Sequence, residues 1–161
     1  MTSTIYRILG DEMTRQLAFT VYGTPAPQGS KRGFYNKHTG RVQVVESSKK
    51  VKPWRQAVTH TALEHTNGSP ITGPVSVILR FMMARPQGHY GTGRNEGKVK
   101  SSAPPFPAVA PDIDKLARST LDGLVDAGVF TDDSRIVTLR LEKRYTELTP
   151  HCDVIVREGV G

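Results

Sequence analysis

The sequence predicts a small single domain of mixed α/β (α+β) class, with a mixed β-sheet packed by two main helices. Three observations predict it. Strand-like stretches outnumber helix-like ones and are interleaved with them. A length of 161 residues fits one hydrophobic core. A hydrophobic content of 37%, with 11 Pro and 15 Gly, allows only a modest core joined by several long loops.

Residues 1–16 show no clear period and are expected to form a flexible leader, followed by a domain over 17–158 and a tail at 159–161. The first strand is expected at 17–23, where the pattern alternates, ending at Thr24-Pro25-Ala26-Pro27, which cannot continue a ladder. A hairpin follows, with 33–36 paired to 41–45 across Lys37-His38-Thr39-Gly40. Residues 52–65 make a helix, in which Pro53 near the first turn costs little and Trp54, Val58 and Ala62 recur every fourth position. Asn67-Gly68-Ser69-Pro70 stops it.

The stretch 75–83 is a central strand: Val75, Val77, Leu79 and Phe81 share one face, while Ile78 and Met82 favour burial on the other. Residues 85–110 have no period and carry Arg85, Arg94, Lys98 and Lys100. A loop this long is functional or disordered, and the sequence leaves both open. A second helix covers 112–127, closed by Gly128, with Ile113, Leu116, Ala117, Leu121, Leu124 and Val125 on its buried side. Strands at 135–145 and 153–157 complete the chain.

The balance of 22 Lys and Arg against 15 Asp and Glu gives a net charge of +7, which points to a polyanionic partner, DNA or RNA first. A single cysteine, Cys152, excludes a disulfide framework and fits the reducing cytoplasm. No apolar run is long enough for a membrane span or a signal peptide core. Scattered histidines offer no zinc spacing, and no phosphate-cradling glycine loop or nucleophile motif is present, so no small-molecule cofactor is expected.

Against this basic background, the segment 111–136 carries Asp112, Asp114, Asp122, Asp126, Asp132 and Asp133. Taken singly, each has an ordinary role. Asp112 or Asp114 suits a helix N-terminus, Asp114, Arg118 and Asp122 line one helix face as an ion-pair row, and Asp132-Asp133 suits an Asx-type turn. Together they exceed those needs. Carboxylates one residue apart at a helix start can converge on Mg²⁺, which takes one or two protein carboxylates plus water and phosphate oxygens. The chemistry such a site supports is phosphodiester hydrolysis, with Arg118 or Lys143 as a cation for the phosphate.

These residues resemble the signature of RusA-type Holliday junction resolvases, common in phages and prophages. The matching pattern is the Asp112/Asp114 pair, the basic Arg118 four positions on, Leu121-Asp122-Gly123-Leu124, and Asp132-Asp133 before a strand. The run 19–27 with Gln28-Gly29-Ser30-Lys31-Arg32 is similar to the family's opening strand and basic loop. The resemblance covers about residues 18–157 and implies a mixed α/β homodimer that cleaves four-way DNA junctions symmetrically, using Mg²⁺ or, in substitution, Mn²⁺. It implies Asp112, Asp114 and Asp133 as metal ligands, with Asp132, Asp122 and Lys143 in secondary roles. Arg118 stands where the family often has a catalytic lysine; it keeps the charge but is a poor proton donor. Lys115 replaces an amide-type residue. Lys31, Arg32, Lys37, Arg41, Lys49, Lys50, Lys52 and Arg55 become the candidate DNA-gripping surface, and Phe34, Tyr35 and Tyr90 the candidates for base stacking. Two other readings remain: a junction-binding protein with a weakened site, and a metal-dependent hydrolase of nucleotides or RNA.

Overall fold

The computed structural model describes residues 4–9, 12–29, 32–45 and 49–159. Five strands, β1 (Thr4–Leu9), β2 (Glu12–Tyr22), β5 (Val75–Ala84), β6 (Ile136–Thr146) and β7 (His151–Glu158), form one sheet in the order β1-β2-β7-β5-β6. Strands β3 (Arg32–Asn36) and β4 (Arg41–Val45) make a separate hairpin. The helices are α1 (Val51–His65) and α2 (Ile113–Asp126). The predicted class, mixed sheet and two helices are therefore what the chain forms.

The expected leader at 1–16 is corrected by β1 and the early start of β2, which pair antiparallel from Thr4↔Leu17 to Leu9↔Glu12. The overlooked signal is Gly10-Asp11, a hairpin-type dipeptide between two β-rich runs. At the other end β7 extends to Glu158, and the Gly159 N–H donates to the Pro74 carbonyl at 2.7 Å, so the expected tail at 159 is partly tied down.

One face of the sheet is apolar. Leu17 and Val21 of β2, Val77, Leu79 and Phe81 of β5, and Val154 and Val156 of β7 are completely buried there. They cluster with Trp54, Val58 and Ala62 of α1 and with Leu116 and Leu124 of α2. Burial of this kind is the main stabilising term, worth roughly 1.5–3 kcal/mol per large side chain. The helices meet closely at Gly123: a Cβ there would lie 2.8 Å from Val58 Cγ1 and 3.2 Å from the Arg55 carbonyl. Thr59 Oγ1 donates to the Gly123 carbonyl at 3.0 Å, and Trp54 Nε1 donates to Thr120 Oγ1 at 3.1 Å across the same seam.

All neighbouring strands in the large sheet are antiparallel except β5 and β6. A parallel pair needs a crossover. Here loop 85–112 and α2 supply it, leaving the end of β5 and returning to the start of β6. Gly128, with φ +70°, then closes α2: the Val129 N–H reaches the Leu124 carbonyl at 3.1 Å and the Gly128 N–H the Val125 carbonyl at 2.9 Å.

The long loop is ordered, against the disordered alternative left open by the sequence. It contains two single-turn 3-10 helices, Gln87–His89 and Gly93–Asn95, and a bridge between Tyr90 and Val99. Arg85 lies over the Tyr145 ring at 4.5 Å, and its Nη1 donates to the Pro104 carbonyl at 3.0 Å. The loop is thus fastened onto the far end of β6.

Candidate active site

Asp112 occupies the N-cap position of α2 in extended conformation, and its backbone carbonyl accepts from the Lys115 and Leu116 N–H groups at 3.1 Å. Its side chain makes no capping bond. The carboxylate is exposed, without a hydrogen-bond or ion-pair partner among the described residues. An Asp at this position ordinarily closes onto the helix's own free N–H groups. Asp114, in the first turn, is exposed and accepts from Lys115 Nζ at 2.9 Å. That bond, more than any other influence, holds the Asp114 carboxyl below the usual carboxylate range.

The start of α2 is held from two sides. From β6, Lys143 Nζ donates to the carbonyls of Val109 at 2.7 Å and Pro111 at 2.9 Å, one on each side of the cis Ala110–Pro111 bond. From the segment after β2, the Gln28 N–H donates to the Lys115 carbonyl at 3.0 Å, and Ser119 Oγ donates to the Ala26 carbonyl at 2.6 Å. Gln28 is 9% exposed and its Oε1 has no protein donor, leaving a buried acceptor beside the first turn of α2. In the sequence Gln28 stands out only as part of a basic loop; its burial arises from tertiary packing.

The second acidic pair lies elsewhere. Asp132 caps a 3-10 turn at Asp133–Arg135 and accepts from the Ser134 N–H at 2.9 Å, the expected Asx-type bond. That interaction is the leading cause of its lowered pKa. Asp133, exposed, follows it immediately before β6. Lys143, which touches the residue preceding Asp112, sits far along the same strand. The strand from Ile136 to Lys143 covers about 23 Å at ~3.3 Å per residue, far beyond the reach of a lysine side chain. Carboxylates sharing one Mg²⁺ place their oxygens about 3 Å apart. Asp112 and Asp133 of the same chain therefore cannot hold one ion together, and no group of three His, Cys, Asp or Glu among the described residues forms a metal cage.

The remaining acids also redistribute. Asp126, exposed at the end of α2, pairs with Arg55 at 3.0 Å, tying α2 to α1. Asp122, expected to support Arg118, is half-buried and forms no ion pair with it among the described residues; Arg118 is exposed. The i, i+4, i+8 spacing brought these side chains to one face, but Lys115 took Asp114 instead. Lys143, expected beside phosphate, spends two of its protons on backbone carbonyls.

Of the candidate DNA-gripping cations, Lys37 and Arg41 are exposed on the β3–β4 hairpin, with Tyr35 66% exposed nearby. Lys49, Lys50 and Lys52 are exposed around the start of α1. Arg55 is committed to Asp126. Lys31 lies outside the described residues, as do the side chains of Arg32 and Phe34. Tyr90 is half-buried in the long loop. A cation cluster missed in the sequence lies on the open face of the sheet, where Arg80, Arg140 and Arg144 surround Glu142 at 3.2, 3.0 and 3.6 Å. The three arginines, Arg80 foremost, hold the Glu142 carboxyl below its ordinary range. Alternation along β6 could have shown that Arg140, Glu142 and Arg144 share a face.

No described helix is long and apolar enough to cross a membrane. Compared with known proteins, residues 24–157 match the family model described as endodeoxyribonuclease RusA. The chain is also 31% identical over 142 residues to the uncharacterized protein YqaN of Bacillus subtilis (strain 168), an alignment covering 88% of this chain and 96% of that protein.

Proposed function

Because this chain belongs to the RusA endodeoxyribonuclease family, we propose that it is a Mg²⁺-dependent endonuclease that resolves four-way (Holliday) DNA junctions by symmetrical phosphodiester hydrolysis. The observation that carries the reading is the uncapped, exposed Asp112 carboxylate beside Asp114, on a helix start held rigid by Lys143 and by residues 26–28. A carboxylate left idle at a position that favours capping is available to a ligand.

The donor set fits a hard cation. Asp112 and Asp114 provide one or two carboxylate oxygens at an exposed place, the arrangement Mg²⁺ accepts when water and phosphate complete its shell, and Mn²⁺ shares the same oxygen preference. When bound, the ion supplies charge to the scissile phosphate and acidifies an attacking water. The chain's own contribution is position and electrostatics. Asp112 and Asp114 follow backbone that is pinned from β6, so that backbone needs little reordering when an ion binds, while Asp114 exchanges Lys115 for the ion. Arg118, exposed one turn further on, keeps its guanidinium free to fork onto a phosphate oxygen, a role that needs no proton transfer. Lys37, Arg41, Lys49, Lys50 and Lys52 supply contacts to the DNA backbone.

The test is incubation with an end-labelled four-way junction, with Mg²⁺ and with EDTA. Paired nicks at symmetrical positions are expected with Mg²⁺ alone. Tight junction binding without any Mg²⁺-dependent product would instead mark a binding protein, and preferential turnover of RNA or nucleotides would mark a hydrolase of another class.

A further inference from the structure

Strands β3 and β4 form a sheet of their own, and no other described element makes a substantial contact with them. A two-stranded hairpin is marginally stable in water unless something covers one of its faces. None of its described side chains joins the core. Tyr35 and Val42 stand directly opposite each other in the register, so they share one face, and they are 66% and 65% exposed. The ribbon therefore holds an aromatic ring and a β-branched side chain outward together, next to its turn.

That turn is built, not loose. Asn36 Oδ1 accepts from the N–H groups of His38 at 2.9 Å and Thr39 at 3.3 Å, and the Gly40 N–H donates to the Asn36 carbonyl at 2.9 Å. Gly40 closes the turn with φ +65°. Lys37, His38 and Arg41 are exposed around it. From Met13 to Val45 the sequence has no Asp or Glu, so the charge of this region suits a polyanion and not a protein surface of mixed charge. The root of the hairpin lies beside the start of α2. The Gln28 N–H is bonded to the Lys115 carbonyl in the first turn of that helix, and β3 begins four residues later, at most about 14 Å of chain at ~3.5 Å per residue.

We propose that, in the junction-cleaving role on which this inference rests, the β3–β4 hairpin is the element that recognises the branch point, with Tyr35 stacked on a base exposed there and Lys37 and Arg41 on the phosphates beside it. A continuous duplex hides the faces of its bases in the stack. A four-way junction interrupts the stack where the strands exchange, and base faces open at that place alone. An outward aromatic ring gains from such a face and finds none along an arm. Val42, opposite Tyr35, covers the apolar flank of the same contact. The cations follow the backbone, which junction and arm share, so they add affinity without adding preference. One hairpin thus separates the two tasks by residue: Tyr35 reads structure, and Lys37 and Arg41 hold charge.

Binding in EDTA tests this without any cleavage. Wild-type protein, Tyr35→Ala, Tyr35→Trp and the double variant Lys37→Ala/Arg41→Ala are titrated with a four-way junction and with a linear duplex of matching sequence. Tyr35→Ala is expected to weaken junction binding roughly fivefold or more while duplex binding changes by less than twofold, and Tyr35→Trp to keep the preference. The double variant is expected to weaken both and to lower the slope of log affinity against log salt by about 2. Equal loss on both substrates with Tyr35→Ala would mark a groove-binding ribbon and overturn the proposal, as would an unchanged junction affinity. A second readout uses 2-aminopurine at the branch point. Its fluorescence is expected to be lower in the wild-type complex than in the Tyr35→Ala complex, and equal signals at saturation overturn the stacking. Wild-type protein that does not prefer the junction over the duplex would overturn the junction-cleaving reading itself, whereas a Tyr35 variant without effect leaves that reading standing.

Discussion

The two acidic pairs, Asp112/Asp114 and Asp132/Asp133, look alike in sequence and lie on either side of one helix, yet the structure uses them differently. Before α2, Asp112 holds the cap position without capping, while backbone around it is pinned by Lys143 and by residues 26–28. Beyond α2, Asp132 does what a turn aspartate does and accepts from the Ser134 N–H, leaving only Asp133 without a local role. One pair is a presented site on a rigid support; the other is half architecture. The helix between them, 14 residues or about 21 Å at ~1.5 Å per residue, keeps them apart.

The sharpest way to break the comparison is to neutralise one acid from each pair. Asp112→Asn is expected to lower junction cleavage by about 10³-fold or more, with junction affinity equal or higher because a negative charge near phosphate is gone. Cleavage rates and binding isotherms on the same preparation measure both. Undiminished cleavage would sink the assignment of this pair as the site.

Next in size is the spacer. Gly123→Ala forces a methyl into Val58 and the Arg55 backbone, and should cost about 1–3 kcal/mol of unfolding free energy in a urea titration. No change would mean the α1–α2 contact is looser than its geometry indicates.

Lys143→Met releases the two carbonyls that hold the backbone before Asp112. A loss of roughly tenfold in cleavage is expected, with a raised Mg²⁺ requirement, as for residues that orient a metal ligand. If turnover fell while the Mg²⁺ requirement stayed the same, Lys143 would belong to the phosphate rather than to the support.

Asp132→Ala should lower the midpoint of a urea titration slightly through its lost cap and leave cleavage nearly intact. A cleavage loss as deep as that of Asp112→Asn would erase the distinction between the pairs.

The smallest effect concerns pH. Asp114 is held below the ordinary carboxylate range chiefly by Lys115. A depressed folded-state pKa favours folding above the unfolded pKa, and that contribution is lost as pH falls through the folded value. Lys115→Asn removes the cause, so the Asp114 titration followed by NMR should move upward. It should also lower the Mg²⁺ concentration needed for cleavage, because Asp114 no longer has a competing cation. An unmoved titration would show that the ion pair is not formed in solution.

Much of this molecule was legible from residue order because the relevant interactions are local. Helix α2 announced itself through its apolar spacing and Gly128, and α1 through Trp54, Val58 and Ala62, all buried where the period places them. The Asx turn at Asp132 depends on a neighbour two residues away, and it formed as expected. The misses depend on partners distant in the chain. Strands β1 and the first part of β2 stabilise each other by pairing, so neither stood out alone. Asp126 found Arg55 across the helix seam, and Lys143 found carbonyls 32 and 34 positions away.

The sequence by itself determined the fold class, the family motif and the chemical type of the site, since carboxylate content and helical and strand periods are properties of neighbouring residues. Only the tertiary structure decided which carboxylates stand together. That decision came from the parallel pairing of β5 with β6. A parallel pair obliges the crossover to leave one end of the sheet and re-enter at the other, carrying Asp112 and Asp133 to opposite ends of the same strand.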